Sequence, residues 1–195
     1  MKFRVIALAD HLRARVERLI RTTYWERYEA RLDVLPGTLV AAVGASGTVE
    51  CAAGLRYSDH GFFSEQYLDQ PVETALRYRT GRGAHRSRVI EVCNLVGKKP
   101  ARSLPFIRDI VEFAELADAE WAIFTATKPL RALLERSGLK MTELARAKRG
   151  RVPNPADWGS YYDHDPRVMA VHRDATFTHR RRLAAELPLG AFLNA

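Results

Sequence analysis

Short apolar runs separated by amphipathic stretches recur along the whole chain. Runs rich in β-branched residues predict seven strands, at 3–8, 38–43, 48–56, 89–96, 121–127, 139–144 and 167–172. Apolar residues at helical spacing predict four helices, one from the cap Asp10 to before Pro36 and others at 71–78, 104–116 and 128–137. Gly44 and Gly47 predict a hairpin turn between the second and third strands.

The order of these elements predicts an α/β fold. An antiparallel beginning followed by alternating strands and helices predicts one mixed central sheet with helices on both faces. No linker or internal repeat divides the chain, so we expect a single domain over residues 1–173. Residues 174–195 then form a C-terminal tail, which is either a docking helix or a mobile end.

The strand at 89–96 is apolar enough to be an interior strand, yet it contains two polar residues. Glu91 and Asn94 require either hydrogen-bond partners or a cleft in such a position. Strict alternation along the strand places Cys93 on the face opposite Asn94, where we expect it to be a small core residue.

A basic turn follows this strand. Lys98, Lys99 and Arg102 precede a helix for which Ser103 is the expected N-cap. Unpaired N–H groups and the helix dipole favour an anion at the start of a helix. The positive charges of these three side chains favour an anion at the same place. The turn is therefore predicted to bind a phosphate or an acidic protein surface, with a solvated charged face as the alternative.

Composition limits the classes of function. The 195 residues are 47% hydrophobic and 28% charged, with a net charge of +8, which is typical of a globular protein with an anionic partner. The sequence has no nucleic-acid-binding motif, so nucleic acid is not an expected partner. Because we find no signal peptide or membrane span and only two cysteines, outside any framework of spaced pairs, we expect a cytoplasmic protein.

Five sequence blocks, in order, resemble the thermostable hemolysin family. They are Leu55-Arg56, FFSEQYLDQPVE at 62–73, VIEVCNLV at 89–96, WAIFTATKPLRALLERSGL at 121–139, and WGSYY at 158–162. The blocks are also similar, more distantly, to the acyl-homoserine-lactone autoinducer synthases. That resemblance implies a Gcn5-related N-acetyltransferase-like fold, in which two central parallel strands splay apart and hold a thioester between them. Here those strands would be 89–96 and 121–127.

The resemblance also implies an activity. The chain would move an acyl group from acyl coenzyme A or acyl carrier protein, as a co-substrate, to a small amine such as an amino acid or its derivative. No bound cofactor or metal is expected. Glu91 matches a synthase glutamate and is predicted to be the general base, and Asn94, where those synthases carry arginine, is predicted to orient substrate or the oxyanion.

Substrate contacts are predicted for residues of three kinds. Arg21, Trp25 and Arg56 match synthase positions on the first helix and the third strand. Glu65 and Tyr67 lie in an apolar-flanked segment that suits an acceptor pocket. The remaining candidates close the second splayed strand or follow it as aromatic residues, and they are Thr125, Thr127, Trp158 and Tyr161.

Each assignment has an alternative. Glu91 can instead pair with Arg56 or Arg88, Asn94 can support a bulge, and Arg56 can pair with Glu65 or Glu73. The alternative function is a membrane-active hemolysin without enzymatic activity, in which arginines draw the chain to anionic lipid and the tail at 180–193 inserts.

Overall fold

A computed structural model describes residues 1–175 and contains a seven-stranded sheet with four α-helices. The strands are β1 (Lys2–Ile6), β2 (Thr38–Val43), β3 (Val49–Arg56), β4 (Val89–Gly97), β5 (Trp121–Ala126), β6 (Thr142–Arg146) and β7 (Arg167–His172). The helices are α1 (Arg13–Tyr28), α2 (Val72–Thr80), α3 (Pro100–Leu116) and α4 (Lys128–Arg136). The predicted tail lies outside the described residues from position 176 onward.

The strand order is β1-β2-β3-β4-β5-β7-β6, and every neighbouring pair is antiparallel except β4 and β5. Successive side chains of β2 point to opposite faces of the sheet, and apolar residues occur on both, so each face can be covered by a helix. Leu39 and Ala41 belong to the core beneath α1, whereas Val40 and Ala42 belong to the core beneath α3. The predicted mixed sheet with helices on both faces is confirmed.

Several predicted boundaries are wrong. Helix α1 has Leu12 and not Asp10 at its N-cap, and it ends at Tyr28. Helix α3 begins at Pro100 and not at Leu104, because proline suits the first turn of a helix. Ser103 therefore lies inside α3, and Lys99 occupies the N-cap position. The Leu139 N–H donates to the Leu134 carbonyl at 3.2 Å and closes α4, so β6 starts later than predicted.

A bulge interrupts β4 at Asn94. Its φ of 53° is left-handed, and the register with β3 shifts there, since Cys93 faces Gly54 while Val96 faces Ala52. The alternation that separated Cys93 from Asn94 in our prediction is therefore wrong. Both residues line the same cavity, described below.

Among residues 1–175, no helix combines the length and the apolar character needed to cross a bilayer.

Candidate active site

The central feature of the site is a split between β4 and β5. The two strands pair only at Val89↔Trp121, Ile90↔Ala122 and Glu91↔Ile123, and then separate. The predicted splaying of the two parallel strands is therefore confirmed. Glu91 belongs to the last pair before the gap.

A cavity of about 510 Å³ occupies this gap. Its walls include the diverging residues of β4, the residues of β5 and the facing sides of α3 and α4. The helices contribute mainly apolar side chains, namely Ile107, Ile110, Val111, Ala114, Leu130, Leu133 and Leu134. An apolar enclosure with few polar groups is typical of a small-molecule site.

Polar and aromatic side chains collect where β4 and β5 end. Five of them were predicted site residues, namely Asn94, Ser103, Thr125, Thr127 and Tyr161. The sequence analysis missed Tyr24, Arg27 and Tyr28, which come from the last two turns of α1. Their helical spacing was a signal for one shared face, but it did not indicate a cavity.

Glu91 lies behind the cavity wall and is only 1% exposed. Its carboxylate accepts bonds from the Phe63 N–H at 2.6 Å, the Ser64 N–H at 2.8 Å and the Ser64 hydroxyl at 2.6 Å. Burial raises the pKa of Glu91 above its ordinary value, although these bonds and nearby Arg56 oppose the rise. The carboxylate is thus fixed in place and more readily protonated than a surface glutamate.

Arg56 is the direct β3 partner of Glu91 across the sheet. Its Nε is buried without a hydrogen-bond partner, and no carboxylate within residues 1–175 forms an ion pair with it. The alternative pairing with Glu65 or Glu73 is wrong, since Arg86 bonds both of those carboxylates. Arg56 instead lines a separate groove with Leu8, Val34 and other residues.

An aromatic cluster closes the site beside α1. The Tyr28 and Tyr161 rings meet edge to face with centroids 5.2 Å apart, and the Tyr67 and Tyr162 hydroxyls are 2.8 Å apart. Tyr67 is buried, and burial raises its pKa above the ordinary value. Trp158 packs against Tyr161 at 5.3 Å, so Trp158 and Tyr67 support the residues of the wall from behind.

Besides Arg56, Tyr67 and Trp158, three more predicted substrate-binding residues do not line the cavity. Arg21 bonds Glu17 at 2.6 Å and the Leu32 carbonyl at 2.9 Å, so its guanidinium holds the loop after α1. Trp25 is half exposed, and Arg31 lies over its ring at 5.6 Å. Glu65 receives two Arg86 bonds of 2.5 and 2.6 Å. The structure does not bring these three side chains to the cavity.

The basic turn borders the cavity through Gly97 and Ser103. A Cβ at Gly97 would lie 2.6 Å from the Ser103 hydroxyl, so the Ser103 side chain packs directly against the backbone of Gly97. Lys98 and Lys99 are exposed, and Arg102 lies 3.7 Å from Glu50. Within residues 1–175, no group of three His, Cys, Asp or Glu side chains is placed to hold a metal ion.

Solved structures of similar fold include an N-acyl amino acid synthase and an acyl-homoserine lactone synthase. FeeM, an N-acyl amino acid synthase from uncultured soil microbes, aligns with a TM-score of 0.61 at 14% identity over 89% of this chain and 96% of FeeM. BjaI, a CoA-dependent acyl-homoserine lactone synthase solved with SAM and isopentyl-CoA, aligns with a TM-score of 0.63 at 13% identity over 93% of this chain and 89% of BjaI. The predicted Gcn5-related N-acetyltransferase-like fold is thereby confirmed.

Sequence comparison identifies the family. No curated protein matches the sequence of this chain. The thermostable hemolysin family, in contrast, matches residues 6–177, which is most of the chain. Together with the ordered blocks around the split strands, this match means that the chain belongs to the thermostable hemolysin family.

Proposed function

We propose that this protein transfers an acyl group from an acyl thioester to the amine of a small acceptor such as an amino acid or its derivative. The observation that carries the proposal is the apolar cavity between the split strands, with a buried carboxylate at the point where they part. A thioester in the gap would have its carbonyl near the unpaired edge of β4 and its acyl chain between α3 and α4.

The dimensions of the cavity favour a long acyl chain. Lining residues extend from Trp121 at the start of β5 to Thr127 just past its end. Six strand residues span about 20 Å. One leaflet of a bilayer has a hydrocarbon depth of about 15 Å, so an extended chain of lipid length fits along β5.

The cations beside the cavity suit a phosphate-bearing donor. Lys98, Lys99 and Arg102 lie at the start of α3, where the helix dipole also favours anions. Either coenzyme A or the phosphopantetheine of an acyl carrier protein offers that chemistry. The solved BjaI structure holds isopentyl-CoA, which supports a thioester donor for this fold.

The acceptor is proposed to carry a carboxylate. Arg56, the sheet partner of Glu91, supplies positive charge close to the base from the neighbouring groove, and that charge favours an anionic acceptor. The name of FeeM, an N-acyl amino acid synthase, supports an acceptor of this class. Glu91 would accept the proton that the amine loses, and Asn94 would orient the reacting carbonyl.

The test uses the purified chain with acyl coenzyme A and acyl carrier protein donors of several acyl lengths and a mixture of amino acids. We expect mass spectrometry to detect an N-acyl amide together with released thiol. Glu91→Gln should lower kcat by about 10² to 10⁴-fold. Glu26→Gln, which makes the same charge change at an exposed position of α1, should leave kcat unchanged.

Failure to form an amide with any coenzyme A or carrier-protein donor would refute the proposal. Lysis of anionic vesicles by the purified chain, equal in wild type and Glu91→Gln, would support the membrane-active alternative instead.

A further inference from the structure

Ser64 connects the buried carboxylate to the cavity wall. Its hydroxyl oxygen lies 2.6 Å from Oε1 of Glu91 and 3.0 Å from Oγ1 of Thr125. Thr125 lines the cavity and is partly exposed, whereas Ser64 is fully buried and Glu91 is 1% exposed. The three side chains therefore form a continuous path from the cavity into the protein interior.

A base must be ionised before it accepts a proton, and an ionised Glu91 fixes the direction of these hydrogen bonds. A carboxylate only accepts, so the Ser64 hydroxyl must donate to Glu91. The Ser64 oxygen is then free to accept, and the Thr125 hydroxyl donates to it. This leaves lone pairs of the Thr125 oxygen as acceptors beside the cavity. An amine in the cavity would thus meet an acceptor whose own proton points toward the base.

We infer that Thr125 and Ser64 form a two-hydroxyl proton relay between the acceptor amine and Glu91. The inference rests on the proposed function. It explains how a carboxylate that lies behind the wall can serve a reaction inside the cavity. Thr125 contacts the substrate, and Ser64 is a positioning residue that acts through its two neighbours.

Acyl transfer through the relay moves one proton from the amine to Glu91 and then on to the leaving thiolate. The neutral amine nitrogen forms a bond to the thioester carbon as the C=O π electron pair moves to oxygen, which leaves the nitrogen positively charged and the oxygen negatively charged. One N–H proton passes to the Thr125 oxygen, the Thr125 proton passes to Ser64, and the Ser64 proton passes to Glu91. The oxyanion then re-forms the C=O bond as the C–S bond breaks, the thiolate leaves, and the proton on Glu91 returns along the same path to give the free thiol. The products are the amide and the thiol.

The relay is tested with Ser64→Ala, Thr125→Val and the double variant, measured in the acyl-transfer assay with the best donor and acceptor. Each single variant should lower kcat by about 10²-fold with little change in KM. The double variant should be no slower than either single variant, because the relay works as a unit. Thr125→Ser keeps the hydroxyl and should restore most of the activity.

A matched control pair lies in the hairpin between β2 and β3. The Ser46 and Thr48 hydroxyls are 2.9 Å apart and exposed, so Ser46→Ala and Thr48→Val remove a similar pair far from the cavity. Both should retain wild-type kcat. Thermal unfolding of every variant gives an independent measure of folding.

Titration of Glu91 by carbon NMR gives a readout that does not depend on turnover. The Ser64 bond favours the charged carboxylate, so Ser64→Ala should raise the pKa of Glu91 further. Thr125→Val has no direct contact with the carboxylate and should move that pKa less. Arg56, Tyr67 and Cys93 also face this carboxylate, and all three remain in every variant.

The outcomes separate the relay from the proposed function. If wild type makes amide and folded Thr125→Val keeps kcat within twofold, the relay is refuted and the function stands. A double variant whose loss of kcat equals the product of the two single losses would also refute the relay. Absence of turnover in wild type would overturn the function and the relay together.

Discussion

Replacement of Gly159 by alanine tests how the aromatic loop is attached to α1. Gly159 has φ 47° and ψ −124°, a conformation that is open to glycine and strained for other residues. An added Cβ would lie 1.9 Å from the Tyr28 carbonyl oxygen, so the backbone itself must move. The Ser160 N–H bond of 2.8 Å to the same oxygen would be lost with that movement.

The expected destabilisation follows from two contributions. Backbone strain costs about 1–3 kcal/mol. Loss of the bond to the Tyr28 carbonyl costs about 1–3 kcal/mol more, because the polar groups are partly buried. Gly159→Ala should therefore lower the free energy of unfolding by about 2–6 kcal/mol, a large fraction of a typical 5–15 kcal/mol.

Alanine variants of two other glycines distinguish the cost of a left-handed backbone from the cost of a steric clash with the added Cβ. Gly138 has a φ of 83° with open space around its Cβ position, so Gly138→Ala should cost only about 1–2 kcal/mol. Gly150 has neither a left-handed backbone nor a close contact at its Cβ position. The free energy of unfolding of Gly150→Ala should therefore stay within about 0.5 kcal/mol of the wild-type value. Urea unfolding at neutral pH measures all three. A cost for Gly159→Ala no larger than that for Gly138→Ala would refute this account of the loop.

Three further predictions concern the site and its supports. Arg86→Met should destabilise the protein by about 1–3 kcal/mol at pH 7. Because Arg86 holds the pKa of Glu65 below 4.5, the wild type loses this stability as pH falls below 4.5, and urea unfolding of the variant should depend less on pH there. Ala114→Phe should fill part of the cavity and lower kcat/KM for the longest thioesters more than for short ones, measured across a donor series. Asn94→Ala should cost about 1–2 kcal/mol more than Asn94→Gly in urea unfolding, because the bulge is left-handed.

Much of the fold could be predicted because its signals are local. The apolar run of β4 and the turn glycines of the β2–β3 hairpin depend on a few neighbouring residues. Ser103 was misassigned because its capping propensity was considered without the stronger preference of Pro100 for the first helical turn. Asn94 was expected to follow strict alternation, and the positive φ that breaks it is a property of the paired strands.

The site was harder to predict because its contacts join distant parts of the chain. Glu65 lies in an apolar-flanked segment that suits a binding pocket. Its partner Arg86, however, follows 21 positions later and holds it in an ion pair. Ser64 carried no signal as a single small residue between Phe63 and Glu65. Its role depends on contacts with Glu91, 27 positions away in the sequence, and with Thr125, 61 positions away, which form only in the folded protein.

The short pairing between β4 and β5 has a mechanical consequence. Three residue pairs join these strands, whereas β1–β2 has five and β5–β7 has six. The sheet is therefore two smaller sheets, one of four strands and one of three, that share a narrow seam. Few backbone hydrogen bonds across the seam resist a change in the angle between the two halves, and Glu91 lies beside that seam. In the proposed reaction, a small rotation about the seam would let the gap fit donors of different girth.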